Sequence, residues 1–225
     1  MSNIFKNLDW SVLTNALMSI IPVLVCITFH ELSHGYVAYR LGDNTAKDMG
    51  RLTLNPIKHI DIFGLVMMAV FKFGWAKPVP VNMASFKHPK RYMAITALAG
   101  PLSNMILAIV ILFVYGLVVV PLGGSPSEQS VGRIALAMLS NTAYISVALA
   151  VFNFLPIPPL DGSKVLFSFI SDRLYYKLMR YERYGMILLI ILVTTNVFGN
   201  TIGRATGALF EKLTFFANTA FKLTN

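Results

Sequence analysis

The chain has 225 residues, 56% of them hydrophobic, and a mean hydropathy of +0.64, against roughly 45–50% apolar residues in a soluble domain. Charged residues make up only 13%, so a soluble enzyme or a nucleic-acid-binding domain is excluded, and the excess of 19 Lys and Arg over 10 Asp and Glu is read as membrane topology. A single cysteine, Cys26, excludes an internal disulfide.

The N-terminus lacks a basic stretch and a small-residue cleavage site before the first apolar run, so no removable signal peptide is expected. The first predicted span covers residues 11–39; since roughly 20 residues cross hydrocarbon, it must tilt or project into the cytoplasm. Inside it stands His30-Glu31-Leu32-Ser33-His34. A helix turns every 3.6 residues or so, which stacks His30 and His34 on one face to grip one metal ion and turns Glu31 aside, toward the place of a metal-bound water. A shuffled chain of this composition contains His-Glu-x-x-His about once in a thousand copies. An ionisable side chain at mid-membrane costs roughly 2.5–3.5 kcal/mol, which metal binding energies of about 10–16 kcal/mol offset. Cys26, one turn before His30, is expected to be a buried small hydrophobe rather than a ligand.

Nine basic residues fall between positions 40 and 91 and five more between 156 and 183, while residues 121–130 have none. The positive-inside rule then puts both basic stretches in the cytoplasm, and the 121–124 loop and the N-terminus outside. His30 lies about 15 Å along the helix from Arg40, so the metal is expected within the membrane on its cytoplasmic side.

Residues 50–56 and 77–82 alternate like short strands around an apolar piece, residues 60–75, that is too short and punctuated for a confident crossing. A re-entrant or interfacial element is expected there. The flanks would offer an edge on which an unwound substrate adds as a strand, or would form a structural interfacial loop. Clear spans follow over residues 93–120, carrying Gly100-Pro101-Leu102-Ser103-Asn104, and over 134–155. The latter leads into Asn153-Phe154-Leu155-Pro156-Ile157-Pro158-Pro159-Leu160-Asp161-Gly162, whose prolines cannot continue a helix, so the break must be packed in protein or line a polar cavity. A further span is predicted over 184–202. Residues 204–223, with Glu211 and Lys212 in mid-segment, form a last span or an amphipathic helix at the interface. The fold class is thus an all-α polytopic membrane protein of about five to six transmembrane helices, in one domain over residues 1–225.

Catalytic zinc has three protein ligands and an open position. The candidates for the third are Asp161, His59, Asp61 and His88. His88 sits in a basic loop and is expected at the solvated surface, and His59 and Asp61 flank the re-entrant piece. Asp161, after the broken helix, is the best choice on chemistry.

Through His30-Glu31-Leu32-Ser33-His34, Asn153-Phe154-Leu155-Pro156 and Leu160-Asp161-Gly162, with Gly100-Pro101 and Asn104 as a third feature, residues 20–170 resemble the site-2 protease family of intramembrane zinc metallopeptidases, peptidase family M50. The resemblance implies one Zn2+ per chain bound by His30, His34 and Asp161, with Glu31 as catalytic acid and base. Many members of that family carry an added PDZ domain or paired CBS domains; this chain is expected to be a compact form without either. Asn153 would position substrate or oxyanion, or satisfy open backbone groups beside Pro156; Asn104 would position substrate, or hydrogen-bond between helices. The implied activity is cleavage of peptide bonds in or near transmembrane segments of other membrane proteins, by a multi-pass protein of the cell membrane whose partners are lipid and substrate and not nucleic acid. The rival is a non-catalytic metal-binding or metal-transport protein, which has little use for a non-ligating carboxylate beside the first histidine.

Overall fold

The computed structural model describes residues 10–64, 74–123, 131–195 and 199–224. Helix α1 (Trp10–Arg40) is followed by a short α2 (Thr45–Asp48). After two 3-10 turns, Pro56–His59 and Met83–Ser85, come α3 (Pro89–Gly123) and α4 (Val131–Asn153). The remainder is α5 (Asp161–Phe167), α6 (Asp172–Arg180), α7 (Glu182–Thr194) and α8 (Gly199–Thr224).

Among the described residues three helices are long and apolar enough to cross a membrane: Met18–Arg40, Pro89–Pro121 and Val131–Asn153. They match the first, second and third long spans read from the sequence and pack against one another as the core of the molecule. The face that α1 turns inward is a stripe at a spacing of four: Cys26, His30, His34 and Ala38 are all buried, as a 3.6-residue period requires. Cys26 meets α4 rather than the metal-binding face, its Sγ lying 3.4 Å from the Thr142 carbonyl and 3.4 Å from Ser146 Oγ.

Helix α8 joins this bundle. Leu213 and Ala217 pack with Ala108 and Leu112 of α3 and Ala143 and Val147 of α4. Close approach depends on Gly116, where a β-carbon would stand 2.1 Å from the Ala217 carbonyl oxygen. The span expected over 184–202 is not one helix: α7 ends at Thr194, α8 starts at Gly199, and residues 196–198 lie outside the described residues. At the break the Ile191 carbonyl takes both the Thr195 N–H, at 3.0 Å, and the Thr195 hydroxyl, at 2.7 Å, the side-chain competition that weakens a helix end.

Most of the apolar piece at 60–75 also lies outside the described residues. Its two ends come together: Ile60 and Ala76 form an antiparallel bridge, and the Lys77 N–H donates to the His59 carbonyl at 3.0 Å. Among the described residues this isolated bridge is all that stands for the expected β-like element, and no strand is formed. The 77–82 segment is laced to its surroundings by side chains. Arg51 donates to the carbonyls of Lys77 (2.9 Å) and Pro78 (3.4 Å), and the buried Asp43 accepts the Asn82 N–H at 2.6 Å.

Candidate active site

Two helices and one helix break converge on a single point. From α1, His30 Nε2 and His34 Nε2 lie 3.0 Å apart with their rings nearly perpendicular, at 88°. The third group is Asp161, the first residue of α5, whose Oδ2 is 3.1 Å from each Nε2. All three side chains are buried. The break delivers Asp161 there because the chain leaves α4 at Asn153 and turns through three prolines. Gly162 then lets the start of α5 fold back on the end of α4; a β-carbon on it would lie 2.3 Å from the Phe154 carbonyl oxygen.

His34 Nδ1 lies 2.7 Å from the carbonyl oxygen of Thr96 on α3. A carbonyl only accepts, so Nδ1 carries the proton and Nε2 of the neutral ring keeps a lone pair. That lone pair faces a carboxylate oxygen and a second imidazole nitrogen, an arrangement that repels itself unless a cation sits among them. Ligand atoms about 2.0–2.1 Å from a tetrahedral ion are about 3.3 Å apart, close to the spacings of 3.0–3.1 Å found here. The cluster therefore fits a small tetrahedral metal ion, and it is the one group of three or more His, Cys, Asp or Glu side chains with that geometry among the described residues.

Glu31 stands beside this cluster without joining it. Its Oε2 accepts the Val79 N–H at 2.8 Å, a donor from the 77–82 segment. Glu31 lines two cavities at once. One, of about 260 Å³, also holds His30, His34, Asp161 and Lys164. The other, of about 360 Å³, has mostly apolar walls that include Val23, Ile27, Leu149, Phe152 and Leu189. Asn153 borders both, with its Nδ2 donating to the Leu149 carbonyl at 3.0 Å. Lys164 places its ammonium 3.8 Å from Asp161 Oδ1 and 3.8 Å from Glu182 Oε1.

The profile of peptidase family M50 matches residues 18–195. The chain belongs to peptidase family M50. With its three apolar spans, this M50 peptidase is an integral membrane protein. Among its relatives is a Bacillus subtilis (strain 168) protein, 39% identical over 182 residues that make up 78% of this chain and 80% of the relative. A second, MJ0611 of Methanocaldococcus jannaschii, is 33% identical over 72% of this chain and 75% of its own length. A third, Rip2 of Mycolicibacterium smegmatis, is 28% identical over 76% of this chain and 64% of its own. All three carry the name "Putative zinc metalloprotease", the first as YwhC. No solved structure matches the chain.

The other candidates for a third ligand have separate occupations in this M50 chain. His59 is buried with Nε2 2.9 Å from the Thr53 carbonyl, where it pins a loop. Asp61 Oδ1 accepts the Gly64 N–H at 2.7 Å, and the His88 ring stands edge-on to Tyr92. Asn104 is wholly buried, with its amide against His30. Thr96 and Val79 were not legible in the sequence, since each contributes a backbone group that any residue type could supply. Lys164 did carry a signal, standing three residues after Asp161 on the same helix face.

Proposed function

We propose that the chain is a zinc-dependent intramembrane endopeptidase that hydrolyses peptide bonds in or near the transmembrane segments of other membrane proteins. The observation that carries this is the convergence of His30, His34 and Asp161 within 4.8 Å, with Glu31 beside them and not among them. His30 and His34 through Nε2, and Asp161 through Oδ2, are the residues that would hold zinc. When bound there, zinc supplies a Lewis acid that acidifies water and offsets the charge developing on the scissile carbonyl.

Glu31 takes the proton of the attacking water and returns it to the leaving amine. The Val79 N–H holds Oε2, which fixes the carboxylate in the wall of the smaller cavity. Asn153, at the junction of both cavities, is placed to hydrogen-bond the substrate backbone or the developing oxyanion. The apolar cavity suits a side chain from a membrane segment, and the segment must unwind locally, since a helix hides its carbonyls in its own hydrogen bonds. Of residues 78–81, two are prolines and Val79 gives its N–H to Glu31. This stretch therefore serves to position Glu31 rather than to donate a ladder of hydrogen bonds to substrate.

In this reading residues 1–225 act as one domain in the cell membrane, with the active site toward the cytoplasm, where Arg40 and the basic residues at the start of α3 mark the boundary. In this reading α7 and α8 add to the three long spans toward the roughly five to six transmembrane helices expected from the sequence. A transporter would need ligands along a path, whereas the described residues form a single cluster. The test is Glu31→Gln in purified protein with a reconstituted membrane substrate: one zinc per chain is retained and cleavage is lost. Cleavage at the wild-type rate would refute the assignment of Glu31.

A further inference from the structure

We infer that Asn104 orients His30 for metal binding by accepting a hydrogen bond from His30 Nδ1–H through its amide Oδ1. The premise is that His30 binds zinc through Nε2, as proposed above. A neutral imidazole has one N–H and one lone pair, so a ring that gives its Nε2 lone pair to a metal must carry its proton on Nδ1 and needs an acceptor there. His34 has one in the Thr96 carbonyl. His30 Nδ1 faces Asn104, whose Nδ2 lies 3.4 Å away while Oδ1 is buried without a partner.

An amide nitrogen opposite Nδ1 would demand the other tautomer, with the proton on Nε2 and nothing left for a metal. The two ends of an amide have nearly the same shape, and half a turn about the last side-chain bond exchanges them without moving a neighbour. One end of this amide lacks a partner in either orientation, so the imidazole's requirement decides between them. The turned amide gives both histidines the same tautomer.

The placement on α3 supports the same role. Thr96, Gly100 and Asn104 are spaced four apart and so share one face of the helix. Thr96 supports His34, and Asn104 is wholly buried against His30. Between them Gly100 leaves room for both rings: a β-carbon would be 2.4 Å from His34 Nε2 and 2.6 Å from His30 Cε1. One helix face thus cradles the whole His-x-x-x-His pair. Asn104 acts through His30 and is a positioning residue rather than one that touches substrate.

The experiment measures zinc affinity by chelator competition on the purified full chain in detergent, for wild type, Asn104→Leu, Asn104→Asp and His30→Ala, with thermal unfolding as the check on folding. Asn104→Leu, of similar size and without an acceptor, is expected to weaken zinc binding about 10–100-fold. Asn104→Asp, which only accepts, should stay within about threefold of wild type, since carboxylate-histidine-metal arrangements are common. A folded Asn104→Leu protein that binds zinc like wild type overturns the inference. So does an Asn104→Asp protein that loses affinity, and this second arm decides alone if the leucine variant does not fold. His30→Ala separates the premise: unchanged zinc affinity there means that His30 is not a ligand, whatever Asn104 does.

Discussion

Replacing Gly100 by alanine adds a single methyl group, and its effect follows from three distances. The new β-carbon would stand 2.4 Å from His34 Nε2, 2.5 Å from His34 Cε1 and 2.6 Å from His30 Cε1, where nonbonded atoms prefer about 3.5 Å or more. About 1 Å must be found, either by α3 retreating or by the imidazoles moving. His34 has little freedom, because its other nitrogen is held by the Thr96 carbonyl on the same helix face. Metal-ligand distances tolerate only about 0.2 Å, so a displacement of this size removes one or both histidines from the coordination sphere. Overpacking of this kind costs about 1–3 kcal/mol, and a misplacement of about 1 Å costs on the order of 100-fold in rate. The expected outcome for Gly100→Ala is zinc affinity lower by about 100-fold, near 2.7 kcal/mol, with a comparable loss of cleavage. Chelator competition and a reconstituted cleavage assay read these two quantities separately. A variant that binds zinc within about threefold of wild type would refute the claim that α3 forms the wall of the metal site.

Two further substitutions probe the surroundings with different expected signatures. Val79→Pro deletes the N–H that holds Glu31 Oε2 at 2.8 Å; hydrogen bonds to charged groups contribute about 1.5–3 kcal/mol, so kcat is expected to fall about 10–100-fold with zinc content and KM unchanged, whereas a rise in KM alone would point to a substrate-clamping strand. Gly203→Ala and Gly207→Ala meet no atom within 4 Å on α8, and each should raise stability by roughly 0.5–1 kcal/mol through helix propensity; a lowered unfolding temperature in detergent would contradict a regular helix there.

The division between what the sequence made legible and what it did not follows the kind of atom involved. His30, His34 and Asp161 meet through side-chain atoms, and an ionisable side chain in an apolar run is conspicuous because burying it is costly. The long spans were equally legible, since each needs a continuous apolar run. The interrupted stretch from 184 to 202 was not: its apolar composition runs on past Thr194, where the helix ends and the Thr195 hydroxyl shares the Ile191 carbonyl with its own N–H. Nor could sequence alone show that residues 60 and 76 meet, because pairing across that distance is a tertiary fact.

The groups that orient the site belong to a class without residue identity. Thr96 offers a carbonyl and Val79 an N–H, while Gly100 contributes the absence of a side chain. Gly100 could be read as notable, yet its purpose depends on α1 and α3 crossing at His34, sixty-six positions earlier in the chain. The side chains of the proposed site are thus held from three places: His34 and His30 from α3, Glu31 from the 77–82 segment, Asp161 from the turn that Gly162 allows. Metal ligands must be held within a few tenths of an ångström, and side chains on a lone membrane helix are not restrained to that degree. In the proposed reading the chemistry-bearing residues define the reaction, while the helix crossing and the extended segment set its geometry. Substitutions at Gly100 and Val79, which carry no reactive group, are expected for that reason to impair function at a site they do not chemically join.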